Sequence, residues 1–255
     1  MRRILTFVMA GGKGERLLPL TKDRAKPAVP FGGTYRIIDF TLSNCINSGI
    51  RKIHVLIQYK SSSLQHHLRM GWSIFHSELG EYIDVIPAQQ RTGDHWYLGT
   101  ADAIYQNMNT IKDESPDHVL VLAGDHVYKM NYAEMVAFHQ THEADVTVGV
   151  IEMEQEKAKD FGIVEVDGRG RIVGFEEKPS NPKPIPGDPG KCYASMGIYL
   201  FNRAWLEDAL ADQKRGTAPL EAVVAGEVDA ADAGEDALEH LALAVELLPL
   251  VRRVA

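Results

Sequence analysis

The chain has 255 residues, 45% hydrophobic and 24% charged, which is enough apolar side chain to bury a large α/β core and too much for a disordered polymer. Its formal charge of -8 excludes a broadly basic nucleic-acid surface, because binding to a phosphate backbone needs clustered Lys and Arg. Cys45 and Cys192 lie far apart with no paired ligand spacing, which excludes a disulfide framework and a zinc site and fits a reducing, cytoplasmic setting.

In chain order, the apolar stretch from Ile4 to Ala10 follows Arg2 and Arg3 and runs straight into glycines. It is too short to cross a membrane and has no cleavage-like segment, so it reads as a first buried strand, with no membrane partner expected. Further strand-like runs are Ile53 to Ile57, Val119 to Leu122 and Val146 to Ile151. They alternate with helical stretches, as in a mainly parallel sheet covered by helices. Ala101, Ile104, Met108 and Ile111 fall on one predicted helical face. Asn131 and Glu134 can cap a helix carrying Tyr132, Met135, Val136 and His139.

From Gly162 the character changes to short runs, Ile163 to Val166, Arg171 to Glu176 and Tyr193 to Phe201, predicting an added β region. Pro179, Pro182, Pro184, Pro186 and Pro189 exclude a central strand or helix between Lys178 and Lys191 and predict a surface loop. Beyond about Ala211 the composition shifts to Ala, Asp, Glu, Leu and Val. The expected organisation is therefore a domain over 1–211 and a divergent tail over 212–255. In that tail Leu238, Leu241, Val245 and Leu248 make one helical face before Pro249, and 222–236 is expected to be disordered.

The chemistry begins at the first strand's end, in Gly11-Gly12-Lys13-Gly14-Glu15-Arg16-Leu17 followed by Lys26-Pro27-Ala28. Glycines let the backbone approach an anion, and Arg16 and Lys26 can neutralise a triphosphate. Lys13, Arg16, Lys22, Arg24 and Lys26 reverse the acidic balance of the chain locally. The spacing matches neither the P-loop nor the dinucleotide fingerprint, which removes the main support for ATPase and dehydrogenase readings. Asp125 closes the apolar run Val119 to Gly124, at the strand end where open α/β sheets bind ligands and where a hard cation could join a carboxylate to phosphates. His126 has no paired ligand spacing and reads as polar support.

At these residues the sequence resembles the sugar-nucleotide pyrophosphorylases, through G-G-x-G-x-R-L and then K-P. Segments 43–49, 87–91, 96–103 and 194–197 resemble the ADP-glucose branch, and the resemblance covers roughly residues 2 to 208. It implies a Rossmann-like, glycosyltransferase-A-like nucleotidyltransferase fold and an enzyme that makes ADP-glucose and pyrophosphate from ATP and glucose 1-phosphate with Mg²⁺. The family's assembly is a homotetramer. Carried over residue by residue, Gly11, Gly12, Arg16, Lys26, Gln90 and Gly99 handle ATP. Tyr97, Gly162, Glu177, Lys178 and Ser195 contact glucose 1-phosphate, Asp125 holds the metal, and Arg24 and Arg36 fall near an effector surface. Arg16, Lys26, Asp125 and Lys178 would carry the reaction. Asp23 stands where some relatives carry a basic effector residue, so the effector itself does not carry over.

Two family features are not found in the sequence: a second metal-binding Asp in a D-F-G-x-D-like segment downstream of Ile198 to Phe201, and the C-terminal β-helix. The first leaves open a shortened or regulatory relative that binds with little turnover. A pyrophosphorylase of other base or sugar is the remaining alternative.

Overall fold

The computed structural model describes residues 3–12, 14–90, 94–211 and 245–249. The chain divides into two compact units, Met1–Glu134 and Met135–Ala255.

The first unit opens with β1 (Ile4–Met9), then a short hairpin of β2 (Pro30–Phe31) and β3 (Tyr35–Arg36), helix α1 (Ile37–Asn47), β4 (Lys52–Ile57) and α2 (Ser62–Gly71). It continues through β5 (Tyr82–Pro87), α3 (Thr100–Tyr105), α4 (Met108–Glu114) and β6 (His118–Ala123). Strands β6, β1, β4 and β5 lie side by side in that order, all parallel. Leu5, Phe7, Ile53, Val55, Leu120 and Leu122 are fully buried along them, which is why these strands read as continuous apolar runs rather than alternating ones. Taken in chain order the strands sit third, second, first, fourth. The order therefore reverses between β1 and β6, and such a switch point leaves a crevice at the carboxyl ends of the strands.

Asp39, in the first turn of α1, explains how that helix is fixed. One carboxylate oxygen accepts the Arg36 backbone N–H at 2.8 Å, and the other accepts His67 Nε2 at 2.7 Å and Trp72 Nε1 at 2.8 Å. A carboxylate this buried is tolerated because every donor around it is used.

The second unit takes the body of α5 (Tyr132–Thr141), then β7 (Val146–Glu154), β8 (Gly162–Val166), β9 (Ile172–Glu177), β10 (Lys191–Asn202), α6 (Arg203–Ala209) and β11 (Val245–Pro249). Strand β10 runs antiparallel to β7, with a bulge between Ser195 and Ile198, and antiparallel to β8, which in turn pairs antiparallel with β9. Ile163, Cys192 and Ala194 pack with Ala158 into a small core of their own.

The capped helix is found as expected. Asn131 Oδ1 accepts the Ala133 N–H at 3.1 Å, and Tyr132, Met135, Val136 and His139 are all buried. Four expectations are corrected. The run from Val146 is a mixed strand, unlike the other three runs: it pairs antiparallel with β10 and parallel with a later strand. A fifth apolar run, Tyr82 to Pro87, is a parallel strand at the sheet edge, where only one neighbour is needed and Asp84 can face water. The single face through Ala101, Ile104, Met108 and Ile111 is split into two helices at Gln106 and Asn107. There the Asn107 side chain turns back to donate to Ala103 O at 2.7 Å, and Met108 is only half-buried. Finally, Val245 and Leu248 belong to a strand, not a helix: β11 pairs parallel with β7, and Pro249 ends it. Leu238, Leu241 and segment 222–236 lie outside the described residues.

Candidate functional site

Both sides of the switch point carry groups that the sequence singled out. After β1 the chain turns through Gly14 at φ +67°, where a Cβ would lie 2.7 Å from Lys26 Cβ and 3.0 Å from Thr21 Cγ2. Only glycine suits that backbone and that approach. Thr21 Oγ1 donates to Gly14 O at 2.8 Å and locks the turn. Lys26 is thereby carried back against the glycine loop, in a short 3-10 turn with the buried Pro27 and Ala28. Arg16 lies exposed in the turn Glu15–Leu17. Lys13 lies outside the described residues.

After β6, Gly124 donates its N–H to Met9 O at 3.0 Å, and a Cβ there would sit 2.8 Å from Val8 Cγ1. The absent side chain lets the end of β6 close onto β1, and Asp125 emerges beside the glycine loop. Lys26 Nζ then stands 2.9 Å from Asp125 Oδ2. His126 stacks on Tyr128 with ring centroids 4.3 Å apart. Burial is the main cause holding its imidazole below the ordinary range; Asp125 opposes this and Lys26 adds to it. Asn44 Nδ2 donates to Tyr128 O at 3.1 Å, so the segment after Asp125 is tied to α1.

A third loop, 95–99, is pinned at several polar points. Tyr97 N–H donates to Gln58 Oε1 at 2.9 Å and Gln58 Nε2 donates back to Tyr97 O at 3.3 Å. Asn107 Nδ2 donates to Tyr97 Oη at 3.1 Å, and Leu98 N–H donates to Asp102 Oδ2 at 2.8 Å. Gln58 also backs the glycine loop, because a Cβ on Gly11 would lie 3.2 Å from Gln58 Cγ. Gly12 is exposed and Gly99 starts α3; a Cβ on either would meet nothing within 4 Å. Gln90 is exposed at φ +52°, just beyond β5, while Arg91 lies outside the described residues.

In the second unit, Gly162 pairs with Glu177 across β8 and β9. A Cβ on Gly162 would lie 2.3 Å from Phe175 Cζ and 3.0 Å from Glu177 Oε2, so the glycine makes room for both a ring and a carboxylate. Lys178 follows at φ +49°, its N–H donating to Phe161 O at 3.1 Å and its ammonium paired with Glu177. Ser195 Oγ stands 3.1 Å from Tyr199 Oη and accepts the Gly197 N–H at 3.2 Å in the β10 bulge.

Arg36 Nη1 donates to Ser63 O at 2.8 Å. Burial and, after it, the nearby charge of Arg24 hold the Arg36 guanidinium below its ordinary value, with Asp39 opposing. Arg36 lines a cleft of about 650 Å³ with Asp23, Ser63, His66 and Arg69 among its walls. Arg24 is half-buried nearby, outside that lining.

Sequence reasoning missed Gln58, Thr21, Asp102 and Asn107. Gln58 had a signal: it follows β4 immediately, at the same strand end as Asp125 after β6. The others bond to main chain or to partners set by the turns, which no spacing rule specifies. Among the described residues no three His, Cys, Asp or Glu converge to hold a metal, and no helix is long and apolar enough to cross a membrane. Both cysteines are free and buried.

Glycine turn, lysine and carboxylate gathered at the switch point of a parallel sheet define an α/β protein with its charged groups collected at the strand ends, where such sheets bind ligands. The chain belongs to the nucleotidyl transferase family, whose sequence model matches residues 5–240. It is 56% identical over 213 residues to a glucose-1-phosphate adenylyltransferase of Rhodopirellula baltica, covering 83% of this chain and 48% of that protein. It is 57% identical over 209 residues to glucose-1-phosphate adenylyltransferase 2 of Alkalilimnicola ehrlichii, covering 82% and 50%. With the enzyme of that name from Methylococcus capsulatus the identity is 54% over 209 residues, covering 82% and 49%. The chain spans about half the length of these curated relatives.

Proposed function

We propose that the chain transfers the adenylyl group of ATP to α-D-glucose 1-phosphate, giving ADP-glucose and pyrophosphate for α-glucan synthesis. The observation that carries this reading is the Lys26–Asp125 pair at the switch point, 2.9 Å across, in a chain whose relatives bear that activity in their names.

The reaction displaces pyrophosphate when a sugar phosphate oxygen attacks the α-phosphorus of ATP. The nucleophile is already anionic, so no strong base is needed; the protein must align two anions and offset charge on the departing pyrophosphate. In this reading Gly11 and Gly12 receive phosphate oxygens through open backbone, and Arg16 with Lys26 neutralises the triphosphate. Gln90 offers an amide donor and acceptor to the base, and Gly99 leaves space beside it. Lys178 holds the sugar phosphate, while Glu177, Tyr97 and Ser195 accept or donate to the sugar, with Gly162 keeping the approach to Glu177 open.

Asp125 suits a hard divalent cation such as Mg²⁺: it is a half-exposed carboxylate that already takes an ammonium as partner, and Mg²⁺ is commonly held by one or two carboxylates plus phosphates and water. Bound there, the ion would draw charge from the phosphate oxygens. The second metal-binding aspartate that the resemblance leads one to expect, in a D-F-G-x-D-like segment, is not found in the sequence. Arg36 and Arg24 are assigned to an anionic effector at the cleft beside α2. A cytoplasmic setting completes the reading; the family resembled assembles as a homotetramer, and light scattering reads whether this chain does.

The test is a paired assay on the 255-residue chain: calorimetric binding of ATP and of glucose 1-phosphate, and ADP-glucose formation with and without Mg²⁺. Turnover that needs Mg²⁺ is expected. Binding without turnover rejects the catalytic reading, and preferential use of another nucleotide or sugar phosphate rejects the substrate assignment.

A further inference from the structure

Asp102 is buried to 1% exposure in the first turn of α3, yet among the described residues no Lys or Arg pairs with it. A buried carboxylate is costly unless its oxygens are taken up by donors. Here Oδ2 accepts two: the Leu98 N–H at 2.8 Å and Gln106 Nε2 at 2.9 Å. His95 Nδ1 stands 3.9 Å away, its short contact being with Trp96 O at 3.0 Å. A helix cap alone would not require this arrangement, since an uncharged Asn, Ser or Thr at the N-cap itself serves. The carboxylate reaches outside α3, past its N-cap Gly99, to hold the main chain of the preceding loop.

That loop has one further oddity. Trp96 and Leu98 are 58% and 60% exposed, although the backbone between them is held at every polar point described above. A free loop would turn such side chains inward to shed apolar surface. Pinned through Leu98 to Asp102 and through Tyr97 to Gln58 and Asn107, this one holds them toward solvent, with Gln58 backing Gly11.

We infer that Asp102 is a positioning residue: through the Leu98 N–H it fixes the 96–99 loop so that Tyr97 and Gly99 face substrate in a preset conformation. This rests on the proposed reaction, in which that loop contacts both substrates. Asp102 itself touches neither, and its effect is on binding rather than on chemistry.

Asp102→Ala removes the acceptor and leaves the Leu98 N–H and the Gln106 amide unpaired. Asp102→Asn keeps the shape and the network, because the Leu98 N–H and Gln106 Nε2 both donate to the one oxygen Oδ2, whose place the Asn carbonyl can take. In D102A the KM for glucose 1-phosphate rises about tenfold, the scale of one buried hydrogen bond, with kcat little changed and amide exchange at 96–98 faster by a similar factor. D102N recovers most of both. If D102A does not fold, Asp102→Ser, one bond too short to reach Leu98, serves in its place. Wild-type KM in a folded D102A or D102S, or a D102N as impaired as D102A, overturns the inference. A wild-type chain that binds and turns over neither substrate removes the reaction and the inference together, whereas turnover by the wild type with an unchanged D102A removes the inference alone.

Discussion

Lys26 Nζ lies 2.9 Å from Asp125 Oδ2, bringing together residues 99 apart in sequence, in the segments that follow the two strands flanking the switch point. Their side chains are 29% and 37% exposed, so solvent screening limits the pair to under about 1 kcal/mol of stability. In the proposed reaction the ammonium is drawn to the arriving phosphate and the carboxylate is released to a cation. Asp125→Asn therefore costs at least about a hundredfold in Mg²⁺-dependent turnover. The melting temperature moves by no more than about 4 °C. Rates across a Mg²⁺ titration, with a thermal melt, decide it; unaltered metal dependence in D125N rejects the assignment.

Lys178 sits at φ +49°, and alanine keeps the Cβ that makes this backbone unfavourable, so Lys178→Ala isolates the loss of the ammonium from any change in strain. If that ammonium holds the sugar phosphate, KM for glucose 1-phosphate rises roughly tenfold to a hundredfold, the range of a charge-assisted hydrogen bond, while KM for ATP stays near wild type. Equal losses for both substrates would instead point to a general loosening of the β9 end.

What could be read from the sequence was set by how local its cause is. The buried parallel strands announce themselves because Ile4 to Val8 and Val119 to Leu122 must be apolar on both faces, and Asn131 caps α5 through contacts within three residues. Asp125 was legible because a strand end followed by a carboxylate is a positional rule. The break at Gln106 and Asn107 was not legible: it depends on Asn107 reaching both Ala103 O and Tyr97 Oη, a competition that apolar periodicity does not register. The same limit hid the contact of Gln58 with Tyr97, 39 residues away, though not the place of Gln58 at a strand end, and it hid the strand at Val245, whose conformation is set by pairing with β7.

His54 predicts a pH dependence of stability. It is 7% exposed on β4, its ring 5.7 Å from Phe7 and 4.9 Å from Tyr82, and among the described residues neither ring nitrogen has a hydrogen-bond partner. Burial pushes its pKa down, against the pull of Asp84 and Glu114. With the folded value below the unfolded one of about 6.5, the unfolded chain takes up the proton first. Stability is therefore complete above about pH 6.5 and lost as pH falls toward the folded value. His54→Phe keeps the ring packing and removes the titrating group, so its melting temperature falls less steeply between about pH 7 and 5. His126 shifts in the same direction and keeps part of the slope. Parallel melting curves for wild type and H54F would show that His54 is not a source of it.

Gly162 separates packing from recognition in the second unit. A Cβ there meets Phe175 Cζ at 2.3 Å and Cε2 at 2.9 Å, so Gly162→Ala forces the half-buried ring aside, at a cost of about 1–3 kcal/mol for overpacking. Adding Phe175→Leu shortens the obstructing side chain and returns most of that stability. It does not clear the second obstruction, because the new methyl still lies 3.0 Å from Glu177 Oε2. The double variant should therefore melt near wild type yet keep a raised KM for glucose 1-phosphate, since a displaced carboxylate no longer meets the sugar hydroxyls. If KM recovers together with stability, the glycine serves the β8–β9 packing alone and Glu177 does not need the space above it; if KM stays high while stability returns, the open backbone at Gly162 is there for the ligand.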